Sequence, residues 1–158
     1  MGQISVAFPT PEQLSEHFSL SEMLQSGVAV RFGIDNLPED VASANISASD
    51  VKKNLRFLCR TVLEPLRQRV GRVLITSGYR TEALNKLVKG VANSQHLFGE
   101  AADIYVSDAH QCQKYAKIIT ELTDFDQLIL EPIHSKEKHW LHVSISRRHK
   151  NRHQIIGL

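Results

Sequence analysis

The sequence has little of what would set it apart from ordinary globular chains. Its two cysteines, Cys59 and Cys112, form no C-x-x-C pair. Both fall in apolar helical stretches, so they read as buried free thiols, and nothing points to a disulfide framework or an oxidising compartment. Charge of one sign is lacking too. Against 17 acidic residues stand 19 basic ones, and a formal net charge of +2 is too balanced to argue for nucleic acid. No apolar run is long enough to cross a membrane. Residues 1–8 contain no basic segment followed by an apolar core, so no signal peptide is expected and the chain as encoded reads as cytoplasmic. Internal repeats, low-complexity segments and breaks in composition are missing, which leaves one domain over residues 1–158. Oligomeric state leaves no mark in the sequence.

The hydrophobic share, 42%, suffices for a core without covalent staples. Ser19-Leu20-Ser21-Glu22 has the form of a capped helix start. Residues 50–70 give the clearest helical period, with Leu55, Leu58, Val62, Leu66 and Val70 on one face. Ser49 or Asp50 can cap this helix, Gly71 ends it, and Pro65 should kink or interrupt it. Strands are expected at residues 73–76, 101–106, 125–131 and 140–145. Helices are expected at residues 81–88 and from an Asp108 cap to about Leu122. The order predicts an α+β fold, a small mainly antiparallel sheet flanked by helices. A basic cluster closes the chain (Arg147, Arg148, His149, Lys150, Arg152, His153). It reads as a solvated tail, or as a patch attracted to an anionic polymer.

Two stretches carry chemistry: Ser94-Gln95-His96-Leu97-Phe98-Gly99-Glu100-Ala101-Ala102-Asp103, and His139-Trp140-Leu141-His142-Val143-Ser144. Asp103 lies inside an otherwise apolar strand, where a carboxylate is costly to desolvate unless paired or bound to metal. His142 also lies in an apolar strand, and antiparallel neighbours can bring the two together. With His96 they make a set of nitrogen and oxygen donors of the kind a catalytic zinc takes, leaving a fourth position open. By spacing alone the trio is a candidate only. H-x₆-D is a loose pattern, and a single strand histidine is more often a hydrogen-bonded core residue. His17, His110, His134, His149 and His153 have no comparable setting and read as solvated or hydrogen-bonded.

The pattern Ser94-x-His96-x-x-Gly99-x-Ala101-x-Asp103 with Trp140-x-His142 resembles the zinc D-Ala-D-Ala carboxypeptidase family, of hedgehog/DD-peptidase-like fold. Its small phage-associated branch is similar at four further stretches: residues 17–22, 33–38, 77–80 and 125–129. The resemblance implies zinc as cofactor, with His96, Asp103 and His142 as ligands. It implies substrate-binding roles for Arg80 and Ser94, Arg80 holding a substrate carboxylate or carbonyl near the metal; a guanidinium suits this because it stays charged and can bind a carboxylate bidentately. Tyr79 reads as packing. Known members carry an acidic residue three positions before the last ligand, where this chain has His139. Two candidates for the catalytic base remain, Glu131 and His139. The implied activity is zinc-dependent hydrolysis of peptidoglycan stem peptides, as a D-Ala-D-Ala carboxypeptidase or an L-Ala-D-Glu endopeptidase, reaching the wall after release from the cell. The alternative is a zinc-containing wall-binding or phage structural module that no longer hydrolyses.

Overall fold

The computed structural model describes residues 12–131 and 140–157, and leaves the Glu131 side chain undescribed. Two short helices come first, α1 (Leu20–Leu24) and α2 (Gly27–Arg31). Each is capped by a serine, Ser19 or Ser26, whose side chain accepts an amide from the first turn. Helix α3 (Ala48–Leu58) starts at Ser47 rather than at Ser49 or Asp50. Ser47 accepts the amide of Asp50, and the Asp50 carboxylate accepts the amide of Ser47. Two otherwise orphaned donors are thereby satisfied.

Pro65 interrupts the long helix as expected, in a specific way. A π turn, Cys59–Leu63, separates α3 from α4 (Glu64–Val70) without breaking the rod. Proline cannot donate to the carbonyl one turn back and would crowd it; the wider turn just before it moves that carbonyl away. Leu55, Leu58, Val62 and Leu66 are buried as their period required, together with Cys59 and Leu63.

The remaining elements are β1 (Ile75–Ser77), α5 (Glu82–Leu87), β2 (Ala101–Tyr105), α6 (Ala109–Leu122), β3 (Gln127–Glu131), β4 (Trp140–Ser144) and β5 (Gln154–Ile156). Asp108 caps α6 by accepting the Gln111 amide at 2.7 Å. The strands form one sheet in the order β1-β2-β4-β3-β5. Every pair is antiparallel except β3 with β5, which is parallel. The fold is therefore α+β with a mostly antiparallel sheet. Strand β5 follows directly on the basic cluster read from sequence as a solvated tail, and no strand was expected there. Among the described residues no helix is long and apolar enough to cross a membrane.

Alternation sorts the sheet into two faces. Ala102, Val143 and Leu128 lie side by side in register, as do Ile104, Leu141 and Leu130. All six are buried in the core with α3, the π turn, α4 and α6. Asp103 and His142 pair directly on the opposite face.

Gly99 joins this core to the site. Its φ is +73°, and a Cβ there would stand 2.5 Å from the Val51 carbonyl oxygen in α3. The close approach leaves room for hydrogen alone. Gly99→Ala should therefore lower stability by about 1–3 kcal/mol, from left-handed strain plus displacement of α3. Urea unfolding checks this, with a lower midpoint and an unchanged m-value as the expected result.

Candidate metal centre

The turn carrying His96 is a 3-10 turn, Gln95–Phe98, capped by Ser94, whose hydroxyl accepts the His96 amide at 3.3 Å. His96 is buried. Its Nδ1 lies 2.5 Å from the carbonyl oxygen of Gly78. A carbonyl only accepts, so Nδ1 carries the proton and donates it. Nε2 is then directed to the Asp103 carboxylate, 3.3 Å from Oδ1. The same oxygen lies 2.9 Å from Nδ1 of His142. One ligand atom from each of the three residues fits within 4.8 Å of the others.

This donor set fits a divalent cation for a stated chemical reason. Neutral His96, protonated on Nδ1, presents a lone pair on Nε2 toward a carboxylate oxygen. Two lone pairs facing each other in a buried site repel unless a proton or a metal lies between them. The bond to Gly78 is the type of outer contact that fixes the tautomer of a metal-ligating histidine. Burial alone would push the Asp103 carboxyl up. With a proton on Nε2 of His96 in place of a metal, the charge on His96 and the hydrogen bonds from His142 and His96 outweigh burial and hold it well below the usual carboxylate range. The pocket thus keeps a negative oxygen at its centre.

Arg80 joins the cluster from the loop after β1. Its Nη2 is 3.3 Å from Asp103 Oδ2, its Nε donates to Ser77 at 3.2 Å, and Nη1 reaches Asn85 Oδ1 at 3.5 Å. The loop is pinned on both sides of Arg80. The Asn36 side chain donates to the Tyr79 carbonyl and accepts the Thr81 amide, and the Arg80 amide donates to the His96 carbonyl. Tyr79 itself is core, as read from sequence. Its hydroxyl accepts the Glu39 amide at 3.1 Å, and burial pushes its phenol up to about 12.

The two base candidates fall differently. Glu131 ends β3 opposite Trp140, in the strand beside that of His142. Its side chain lies outside the described residues, and so do residues 132–138 and His139. Ser94 is placed as the cap of the His96 turn, a position from which it shapes the ligand turn whatever else it touches.

The family model of peptidase M15 matches residues 16–144, which include all three members of the cluster and Arg80. The chain belongs to the peptidase M15 family. No curated protein matches it.

In this peptidase M15 member, sequence reasoning missed a shell of buried polar groups behind the ligand turn. Glu100, adjacent to Gly99, is fully buried and takes a bidentate bond from Arg148 at 2.9 and 3.0 Å, plus one from Ser146. Asp126, also fully buried, accepts from the Arg152 guanidinium at 2.8 and 3.1 Å and from Gln95, the neighbour of His96. Asn54 on α3 donates to the Phe98 carbonyl and accepts from Arg147. The basic tail is therefore no freely solvated stretch: three of its arginines bond residues that brace the His96 turn. Acidic residues in apolar surroundings, next to an unexplained basic run, were the available signal.

Asp126 also links stability to acid. Burial raises its pKa, but the bonds from Arg152 prevail and the net value is lowered. A depressed carboxyl contributes stability above its unfolded value, near 4, and loses that contribution as pH falls through the lower folded value. Arg152→Ala leaves Asp126 buried without its guanidinium. Because Arg152 is half exposed, the loss is discounted to about 1–3 kcal/mol at neutral pH. Circular dichroism during acid titration should show the variant unfolding at a higher pH than the wild type.

Proposed function

We propose that this chain is a zinc metallopeptidase that hydrolyses peptidoglycan stem peptides, as a D-Ala-D-Ala carboxypeptidase or an L-Ala-D-Glu endopeptidase. The observation that carries the reading is the convergence of His96, Asp103 and His142 with Arg80 held against Asp103. In this reading the three residues would hold the ion, a donor set of the kind that catalytic zinc takes. Zinc bound there supplies Lewis acidity toward a peptide carbonyl and makes water a better nucleophile at neutral pH. His₂Asp donors select among divalent ions only weakly, so zinc is taken from the family.

Arg80 is assigned to bind and orient. Its guanidinium is fixed by Ser77, Asn85 and Asp103, so it loses little freedom on meeting a substrate carboxylate or carbonyl. Glu131 or His139 is assigned to take a proton from water and return it to the departing amine. Glu131 belongs to the strand that pairs with that of His142, and His139 stands where family members carry an acidic residue. That substitution also supports a second reading, a zinc-containing wall-binding or phage module without turnover. The peptidase is expected to be made in the cytoplasm and to meet the wall after release.

Elemental analysis should find about one zinc per chain, and His96→Ala should lose it. The zinc protein should cleave wall peptides, and Glu131→Gln or His139→Ala should lower kcat by about 10²–10⁴-fold. Zinc without cleavage of any wall peptide, with free or blocked C-terminus, would leave the second reading. No zinc after reconstitution would remove both.

A further inference from the structure

A cleft opens beside the metal cluster that neither the family match nor the ligand set accounts for. It is lined by Ser26, Val28 and Arg31 from the α2 region, and by Thr76, Ser77 and Arg80 from the β1 region. Its β1 wall adjoins Asp103. Thr76 donates to the Asp103 carbonyl at 3.2 Å, Ser77 pairs with Asp103 in the sheet, and Arg80 bonds its carboxylate. Arg80 therefore belongs both to the cleft and to the cluster.

The charge in this cleft is one-sided. Among the described residues lining it there are two arginines and no acidic side chain. Arg80 has Asp103 as partner, but that carboxylate is already shared with two histidines. Arg31 is exposed, and its guanidinium lies 5.6 Å from the centre of the Phe32 ring. The aromatic face steadies the guanidinium, and among the described residues none takes a hydrogen bond from it. Two cations and three hydroxyls in one cleft, with one of the cations bonded to Asp103, suit a ligand with two negative groups rather than one.

We propose that Arg31 forms a second carboxylate subsite, so that the substrate is an acidic peptide read at two points, one at Arg80 beside the metal and one at Arg31 along the cleft. The assignment rests on the peptidase reading and narrows it to stem peptides that keep a second free carboxylate. Arg31 acts in binding. It touches no reacting atom, so it sets affinity and selectivity.

Two carboxylates of such a peptide can fill the Arg31 position, that of the glutamyl residue and that of the C-terminus. The test uses three L-Ala-D-Glu-containing stem peptides: one with both carboxylates free, one with only the glutamyl carboxylate amidated, and one with only the C-terminus amidated. Their affinities for the full zinc-loaded chain are measured by calorimetry at low salt, and cleavage is followed in the same samples by mass spectrometry. The wild type should lose about tenfold in affinity on either amidation, the usual size of one charge-assisted hydrogen bond. Arg31→Ala should become indifferent to one of the two amidations, which names the carboxylate that it holds. Arg31→Lys should keep part of the preference, and zinc content should not change. An Arg31→Ala protein that retains both preferences overturns the proposal, as does a wild type indifferent to both amidations. Arg31-dependent preference without cleavage would uphold the subsite while removing the peptidase reading. Cleavage that ignores both carboxylates would do the reverse.

Discussion

The carboxylate of Asp103 is the point on which the site depends. One oxygen faces both histidines, the other faces Arg80, and the backbone carbonyl takes the Thr76 hydroxyl. These contacts exist only because β2 pairs with β4 in a single register, Asp103 opposite His142. A slip of one residue by either strand would turn its own donor, Asp103 or His142, to the opposite face, into the space held by Ala102 and Ile104 or by Leu141 and Val143. The apolar face therefore enforces the polar one. Burying these four core residues against the helices holds the register, and the register aligns the donors.

His96 comes from a turn instead of a strand, and a turn lacks that enforcement. Its position is set by contacts from many parts of the chain: Gly78 on the imidazole, Asn54 on the Phe98 carbonyl, Asp126 on Gln95, and α3 pressed against Gly99. Arg80 is fixed in the same manner by Asn36 and Asn85. Each of these groups is satisfied, and among the described residues no buried side-chain polar atom lacks a partner. A ligand set braced in this way is organised before any ion or peptide arrives.

Much of the fold was legible because it rests on local rules. The period of Leu55, Leu58, Val62 and Leu66, the Asp108 cap and the alternation in β2 and β4 are signals within a few residues. A carboxylate in an apolar strand marked Asp103 as needing a partner, but it took the family resemblance to join it to His96 and His142, which the structure brings together. What escaped were contacts between distant segments. Glu100 and Arg148 are 48 residues apart, and Asp126 and Arg152 are 26 apart, so no periodicity joins them. Strand β5, only three residues long, is defined by its parallel pairing with β3, and its sequence alone looks like a tail. The helix start was misplaced by two residues because Ser47 and Ser49 offer equal caps. The reciprocal bond with Asp50 decides for Ser47.

The π turn at Cys59–Leu63 bears on how this chain tolerates changes in length. Such a turn holds one residue more than the α-helical turn it replaces. Deleting a single residue there would restore an unbroken α-helix and keep every backbone bond up to Pro65. Because the wider turn already absorbs the extra residue, the helix beyond it would keep its phase and Leu66 would stay in the core. The cost of the deletion would fall at Pro65, whose ring would again crowd the carbonyl one turn back. The extra residue therefore acts as a spacer, giving a proline room inside a rod whose apolar stripe runs on unshifted.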